Sequence, residues 1–140
     1  MDLSNECIVG IDFGLKRIGL AISNKGVSFA IPSKTIEAGK NDLDSVKAII
    51  ESFKEPIDRF VLGHPLYLDG KPSAMTHRVE LFKQVLEQYT GKPVHYIDER
   101  LTSEQSEDLL KELGFNRKDR IPHKDSLSAQ LILKDFLSYF

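Results

Sequence analysis

Two apolar β-type segments, Cys7–Ile11 and Ile18–Ile22, flank a short turn holding Gly14, Lys16 and Arg17, and an aspartate, Asp12, stands where the first segment ends. A connection that short joins neighbouring antiparallel strands, so the chain opens on a hairpin. A carboxylate at the end of a buried strand is costly unless something pairs with it. A metal ion is one such partner, and the glycine beside it lets a phosphate backbone approach closely. A hairpin carrying a solvated aspartate is the plainer alternative from this segment alone.

The pattern downstream extends the hairpin into a layered fold. Strands are expected over Ile8–Phe13, Arg17–Ser23 and Val27–Ile31, the third stopped by Pro32. Asn41 or Asp42 caps a helix from Leu43 to about Lys54, with Leu43, Val46, Ile49, Ile50 and Phe53 on its apolar side and Pro56 beyond its end. Arg59–Gly63 fits a buried parallel strand, and the loop His64–Pro72 is long enough to cross the top of a sheet. Ser73 caps a helix reaching about Tyr89, and Val94–Ile97 reads as another strand. Thr102 and Gln105 have capping-box spacing for a helix ending near Leu113, and a last helix runs from about Asp125 to Tyr139. The order β-β-β-α-β-α-β-α-α predicts an α/β fold: a mixed five-stranded sheet, three antiparallel strands then two parallel ones, with helices on both faces. Residues 1–140 are expected to form one domain.

Composition narrows the function classes. No apolar stretch reaches the roughly 18 residues of a membrane span, and the acidic start Met-Asp-Leu-Ser-Asn-Glu lacks the positive region of a signal peptide. Cys7 is the single cysteine, which fits a reducing, cytoplasmic setting, and its strand position suits a buried hydrophobe better than a reactive thiol. No Cys/His spacing suggests zinc. The net charge of −2 argues against a protein coated in positive charge, but the stretch Asn116–Lys124 concentrates Arg117, Lys118, Arg120 and Lys124 against one acid.

Acids fall at element ends in three places: Asp12, the pair Asp98-Glu99 after the last strand, and Asp125 at the opening of the final helix. In α/β sheets functional groups collect where strands end. Carboxylates gathered in one cleft repel unless a cation sits among them. Hard oxygen ligands favour Mg²⁺ or Mn²⁺, one ion or two, which can activate a water and stabilise a leaving oxygen in phosphodiester cleavage. Helix capping by Asp125 and a solvated strand end at Asp98-Glu99 are the alternatives.

With these motifs in order, Gly10–Ser23, Val61–Gly70, Asp98–Thr102 and Lys124–Leu133, the chain resembles the YqgF/RuvX family of bacterial RNase H-like proteins, relatives of Holliday-junction resolvases grouped with pre-16S rRNA nucleases. The resemblance covers nearly the whole chain. It implies an RNase H-like sheet with the first strand central, and a metal-dependent nuclease acting on structured nucleic acid, namely pre-16S rRNA or a ribosomal precursor particle. It implies that Asp12, Glu99 and Asp125 are catalytic and hold the metals. Asp98 is a further metal candidate, although neighbouring strand residues point to opposite faces. Two departures stand out. His64 follows Gly63 where relatives read Gly-Leu-Pro or Gly-Asn-Pro, and Phe13-Gly-Leu15 replaces a smaller residue and a threonine. His64 could contact phosphate or move a proton, or be a tolerated change in an exposed loop.

Lys16, Arg17 and Arg100 lie beside the acids and could hold phosphates; Arg100 could equally pair with Asp98 or Glu104. Lys71 and Arg78 border the Asp69-Gly70 loop, which the resemblance places near substrate. The Arg117–Lys124 segment, read as a loop, is the candidate for clamping the nucleic-acid backbone. Rival functions are a DNA-junction resolvase, which needs a symmetric dimer that nothing here declares, and a binding or assembly module without useful nuclease activity. A nucleotide phosphotransferase is disfavoured, since 140 residues leave no room for a second lobe closing over ATP.

Overall fold

The opening hairpin forms as its pattern requires. Strand β1 (Cys7–Asp12) pairs antiparallel with β2 (Arg17–Asn24), setting Gly10 opposite Ala21 and Asp12 opposite Gly19. The computed structural model describes residues 6–24, 29–66, 69–98, 112 and 117–138, with backbone alone over 117–124. Within these, β3 (Ile31–Glu37), β4 (Ile57–His64) and β5 (Val94–Asp98) complete a sheet of order β3-β2-β1-β4-β5. β1 is central. It pairs parallel with β4, and β4 pairs parallel with β5, so Asp12, His64 and Asp98 close their strands along one edge. The mixed five-stranded sheet expected from the sequence is the one observed.

Alternation along β1 decides what each face meets. Cys7, Val9, Ile11 and Phe13 point into a core shared with Val46 and Ile49 of α1 (Asp42–Glu51) and Val79, Phe82 and Leu86 of α2 (Ala74–Thr90). Ile8 points the other way, with Ala21 and Val61, against Ala129, Ile132, Leu133 and Phe136 of α3 (Arg117–Leu137). Cys7 is fully buried, and burial, then Glu55 and Asp58, push its thiol up to about 11, which suits an inert core residue.

The α3 face has glycines where the helix touches the sheet. A Cβ on Gly10 would stand 2.8 Å from the Leu133 Cβ and 2.9 Å from the Ala129 carbonyl oxygen. A Cβ on Gly19 would stand 1.9 Å from the Asp125 carbonyl oxygen. The α3 backbone therefore lies directly on β1 and β2, with Asp125, Ala129 and Leu133 along one helical stripe. No other residue fits at position 19 without moving that helix.

Local chemistry sets the helix ends. Asn41 caps α1 by accepting from the Asp44 amide at 2.9 Å, and Ser73 with Thr76 forms a reciprocal capping box on α2. Helix α1 stops at Glu51 rather than near Lys54. Ser52 turns its hydroxyl back onto the Ala48 carbonyl at 2.8 Å and its amide onto Ile49 at 3.0 Å, closing the last turn. Gly91, with φ 66°, ends α2 in the left-handed conformation.

Two expectations need correction. The third strand begins at Ile31, where the expected strand ended, and Pro32 lies inside it. β3 is an edge strand, where a missing N–H is tolerated, and the register slips there: Leu20 pairs with Lys34 but Ala21 with Pro32. The last helix begins at Arg117, so Asp125 lies inside it and is no N-cap, and the Arg117–Lys124 segment has a helical backbone rather than a loop. Pro122 forfeits one backbone bond, a local cost of about 3 kcal/mol in a helix interior, and packing of the same helix on the sheet outweighs that preference. The helix expected over Thr102–Leu113 lies outside the described residues. No helix among the described residues is long and apolar enough to cross a membrane.

Gly19→Ala should destabilise the fold by about 1–3 kcal/mol in urea unfolding, because the methyl group must displace α3. The same change at exposed Gly39, where a Cβ would stand 2.6 Å from the Asp44 Cβ and 2.9 Å from the Ser45 amide nitrogen against 1.9 Å from a carbonyl oxygen at Gly19, should cost less.

Candidate active site

Asp12 lies between Ile11 and Phe13, both turned towards α1 and α2, so its carboxylate takes the α3 face. Its cross-strand neighbour on that face is Gly19, and the backbone of Asp125 rests on Gly19. The missing side chain at position 19 is thus what brings the two aspartates to one spot at the sheet's edge. Arg17, two residues before Gly19 and on the same face, donates from Nε to Asp125 Oδ2 at 3.0 Å. Its side chain is 53% exposed and that of Asp125 22% exposed. Asp12, itself half-buried, also has an interaction partner.

The other sequence candidates sort by face. Asp98 ends β5 two residues after Tyr96, so strand alternation gives it the α2 side, away from Asp12 and Asp125. Glu99 and Arg100 follow it and lie outside the described residues. His64 sits at the end of β4 rather than in an exposed loop. Its ring stacks on Tyr96 with centroids 4.2 Å apart, and its Nε2 lies 3.8 Å from Glu80 Oε1 on α2. Burial, then Glu80 and Glu87, raise the Tyr96 hydroxyl above its ordinary value. Lys16 is exposed in the β1–β2 turn, and its carbonyl accepts from the Ala38 amide at 2.9 Å. Lys71 is exposed in the turn after β4, its amide donating to Asp69 Oδ1 at 3.0 Å.

Arg78 has a structural partner. Its two terminal nitrogens meet both Asp42 oxygens at 2.9 and 2.5 Å, and its guanidinium lies 5.1 Å from the centre of the Phe13 ring. The hydrogen bond to Asp42 raises its already high pKa, with burial opposing it. The fork ties the start of α1 to the first turns of α2. The sequence offered no sign of this pairing, because Asp42 reads equally well as a helix cap. The roles of Gly10 and Gly19 were also missed. Their signal was a strand glycine facing a helix rich in small residues, Ser126, Ser128 and Ala129.

The backbone of α3 runs on from Asp125 back to Arg117, about two turns, roughly 12 Å at 1.5 Å per residue. Because Ala129 and Leu133 lie over Gly10 and Asp125 over Gly19, those two turns continue beyond the acid-bearing edge and carry the positions of Arg117, Lys118, Arg120 and Lys124. Beside Gly19 on the α3 face, the described candidate metal donors are the carboxylate oxygens of Asp12 and Asp125. Among the described residues no three His, Cys, Asp or Glu side chains form a metal-holding group. Two aspartates beside one glycine on the same face nonetheless suit Mg²⁺ or Mn²⁺, which bind through one or two carboxylates, retained waters and substrate phosphates.

The family model described as "RuvX: Holliday junction resolvase" matches residues 6–139. The chain belongs to the RuvX family. It is accordingly a nuclease-family hydrolase. A relative from Maridesulfovibrio salexigens named "Putative pre-16S rRNA nuclease" is 40% identical over 133 residues, spanning 94% of this chain and 97% of that protein. A protein of the same name from Protochlamydia amoebophila is 36% identical, spanning 93% and 91%. Among solved structures, the fowlpox virus resolvase in complex with Holliday junction DNA superposes with a TM-score of 0.61 at 12% identity, over 95% of this chain and 97% of that one. Thermus thermophilus RuvC in complex with a Holliday junction gives 0.54 at 13% identity, over 96% and 94%. At such identities the likeness is one of fold alone.

Arg78→Ala and Asp42→Ala should each lower stability, and the double mutant should show a coupling of about 1 kcal/mol in a thermodynamic cycle. Nucleic-acid affinity measured on the folded Arg78→Ala protein should be unchanged.

Proposed function

We propose that this RuvX protein is a metal-dependent endonuclease that cleaves structured nucleic acid and matures the 5′ end of pre-16S rRNA. The observation that carries the reading is the convergence of Asp12 and Asp125 across Gly19 on the α3 face. Those two carboxylates, with Glu99 as the third acid, would hold Mg²⁺ or Mn²⁺, one ion or two. Such an ion, when bound, activates a water and stabilises the leaving oxygen of the phosphodiester. The protein's own side chains supply position. Lys16 and Arg17 stand at the hairpin beside the acids, and Lys71 stands at the turn after β4, each able to hold a phosphate flanking the scissile bond. The helical extension carrying Arg117, Lys118, Arg120 and Lys124 gives a line of basic positions past the acid-bearing edge, fitted to the phosphates of a bulky substrate. His64, packed against Tyr96 and Glu80, supports the β4 and β5 ends rather than touching substrate. Asp98, on the α2 side of the sheet, keeps only an indirect part.

The names of the relatives at 36–40% identity favour the ribosomal RNA precursor. Cleavage of a four-way DNA junction is the second reading, favoured by the description of the matching family model. The work of such an enzyme is in the cytoplasm, where ribosome precursors are found.

The test is cleavage of a labelled 16S precursor 5′ segment and of a four-way junction, with Mg²⁺, with Mn²⁺ and with EDTA, by the wild type and by Asp12→Asn. Metal-dependent cutting of the precursor, lost in Asp12→Asn while binding persists, is the expected result. Preferential cutting of the junction would move the assignment to DNA. Equal binding by both proteins with no cutting of either substrate would remove the nuclease reading.

A further inference from the structure

Among the described residues, Arg17 is the one candidate phosphate ligand whose guanidinium is already engaged with a candidate metal ligand. It contacts Asp125 Oδ2 through Nε, at 3.0 Å, from a side chain more than half exposed. Both groups sit on the α3 face beside Gly19, where Asp12 also points. An arginine on an open strand end would ordinarily extend into water. Here it neutralises a carboxylate that α3 presses onto the sheet next to a second carboxylate. Neighbouring acids repel, and a cation paired with one of them relieves that repulsion.

We propose that Arg17 is a built-in placeholder cation: it holds the Asp125 carboxylate while no divalent ion is bound, and is released towards a substrate phosphate when one binds. The inference rests on the metal-site reading above. The exchange is easy for three reasons. An exposed pair joined through Nε is weakly held, so a divalent ion competes at small cost. The long side chain pivots at the end of β2, and its terminal fork is suited to a phosphate. Release also limits the build-up of positive charge, because the singly charged guanidinium leaves as the doubly charged ion arrives and then meets the negative backbone that the ion helps to bind. Arg17 is thus a positioning residue for Asp125 in one state and a substrate ligand in the other. Metal and nucleic acid should then bind with positive coupling through this one side chain.

The test is Mn²⁺ titration of the free protein by calorimetry, with wild type, Arg17→Gln and Asp125→Asn, each first shown to be folded by its melting in EDTA. Arg17→Gln should bind Mn²⁺ about two- to five-fold more tightly than wild type, the factor expected for removing an exposed ion-pair competitor. Unchanged or weaker Mn²⁺ binding by Arg17→Gln, with wild type binding and Asp125→Asn not, would overturn the placeholder role and leave the metal site standing. No Mn²⁺ binding by wild type would overturn both. A second arm measures affinity for a labelled four-way junction in EDTA and in Ca²⁺. Arg17→Gln should lose affinity in Ca²⁺ and little in EDTA; an equal loss in both would show an ordinary phosphate contact and overturn the release.

Discussion

The contact between the α3 backbone and the bare strand positions at Gly10 and Gly19 governs both the packing and the chemistry of this molecule. A helix normally rides on a sheet at the distance its side chains impose. Here two glycines on adjacent strands remove that spacer, so the Asp125 and Ala129 carbonyls lie against β2 and β1. The antiparallel register then fixes which residues share the contact. Asp12 is opposite Gly19, so whatever α3 lays on Gly19 is delivered to Asp12. Asp125 is what it lays there.

The two faces of the sheet do different work as a result. The α1–α2 face is a conventional apolar core, with Phe13 packed on Phe82 at 4.5 Å between ring centres and Arg78 bound to Asp42 at its rim. The stacked His64 and Tyr96 sit on this side too, stiffening the ends of β4 and β5. The α3 face keeps a smaller apolar core towards the starts of the strands and turns polar at their ends. On that face Asp12, Arg17 and Asp125 gather at the edge where β1 ends and β2 begins. Arg17 and Asp125 meet at that boundary, buried enough to be ordered and exposed enough to exchange partners.

Much of this was legible in the sequence. The alternation in Cys7–Asp12 and the short turn to Arg17 specified the hairpin, and the apolar run through Phe60–Leu62 specified its parallel neighbour, because strand burial writes itself into side-chain pattern. Asp12 was legible as a candidate from its place at a strand end, and Asp125 from an expected helix start that proves to lie inside α3. Their convergence was not, since it depends on a helix crossing strands far away in the chain. Pro32 was read as the stop of a strand and the Arg117–Lys124 segment as a loop, both from local preference, and in each case tertiary packing won. The pairing of Arg78 with Asp42 was not legible, because the two are 36 residues apart on different helices. His64 looked like a loop residue because nothing local reveals that Tyr96 lies across the sheet from it.

The account stands on Asp12 and Asp125 forming one cation site across Gly19. The direct measurement is paramagnetic broadening of the assigned amide resonances by substoichiometric Mn²⁺ in the intact protein. The account predicts that the amides of Asp12, Gly19 and Asp125 broaden first and together, well before those of Asp42, Glu80 or Glu87. Broadening centred on the α2 carboxylates, or a uniform loss with no focus at Gly19, would contradict it.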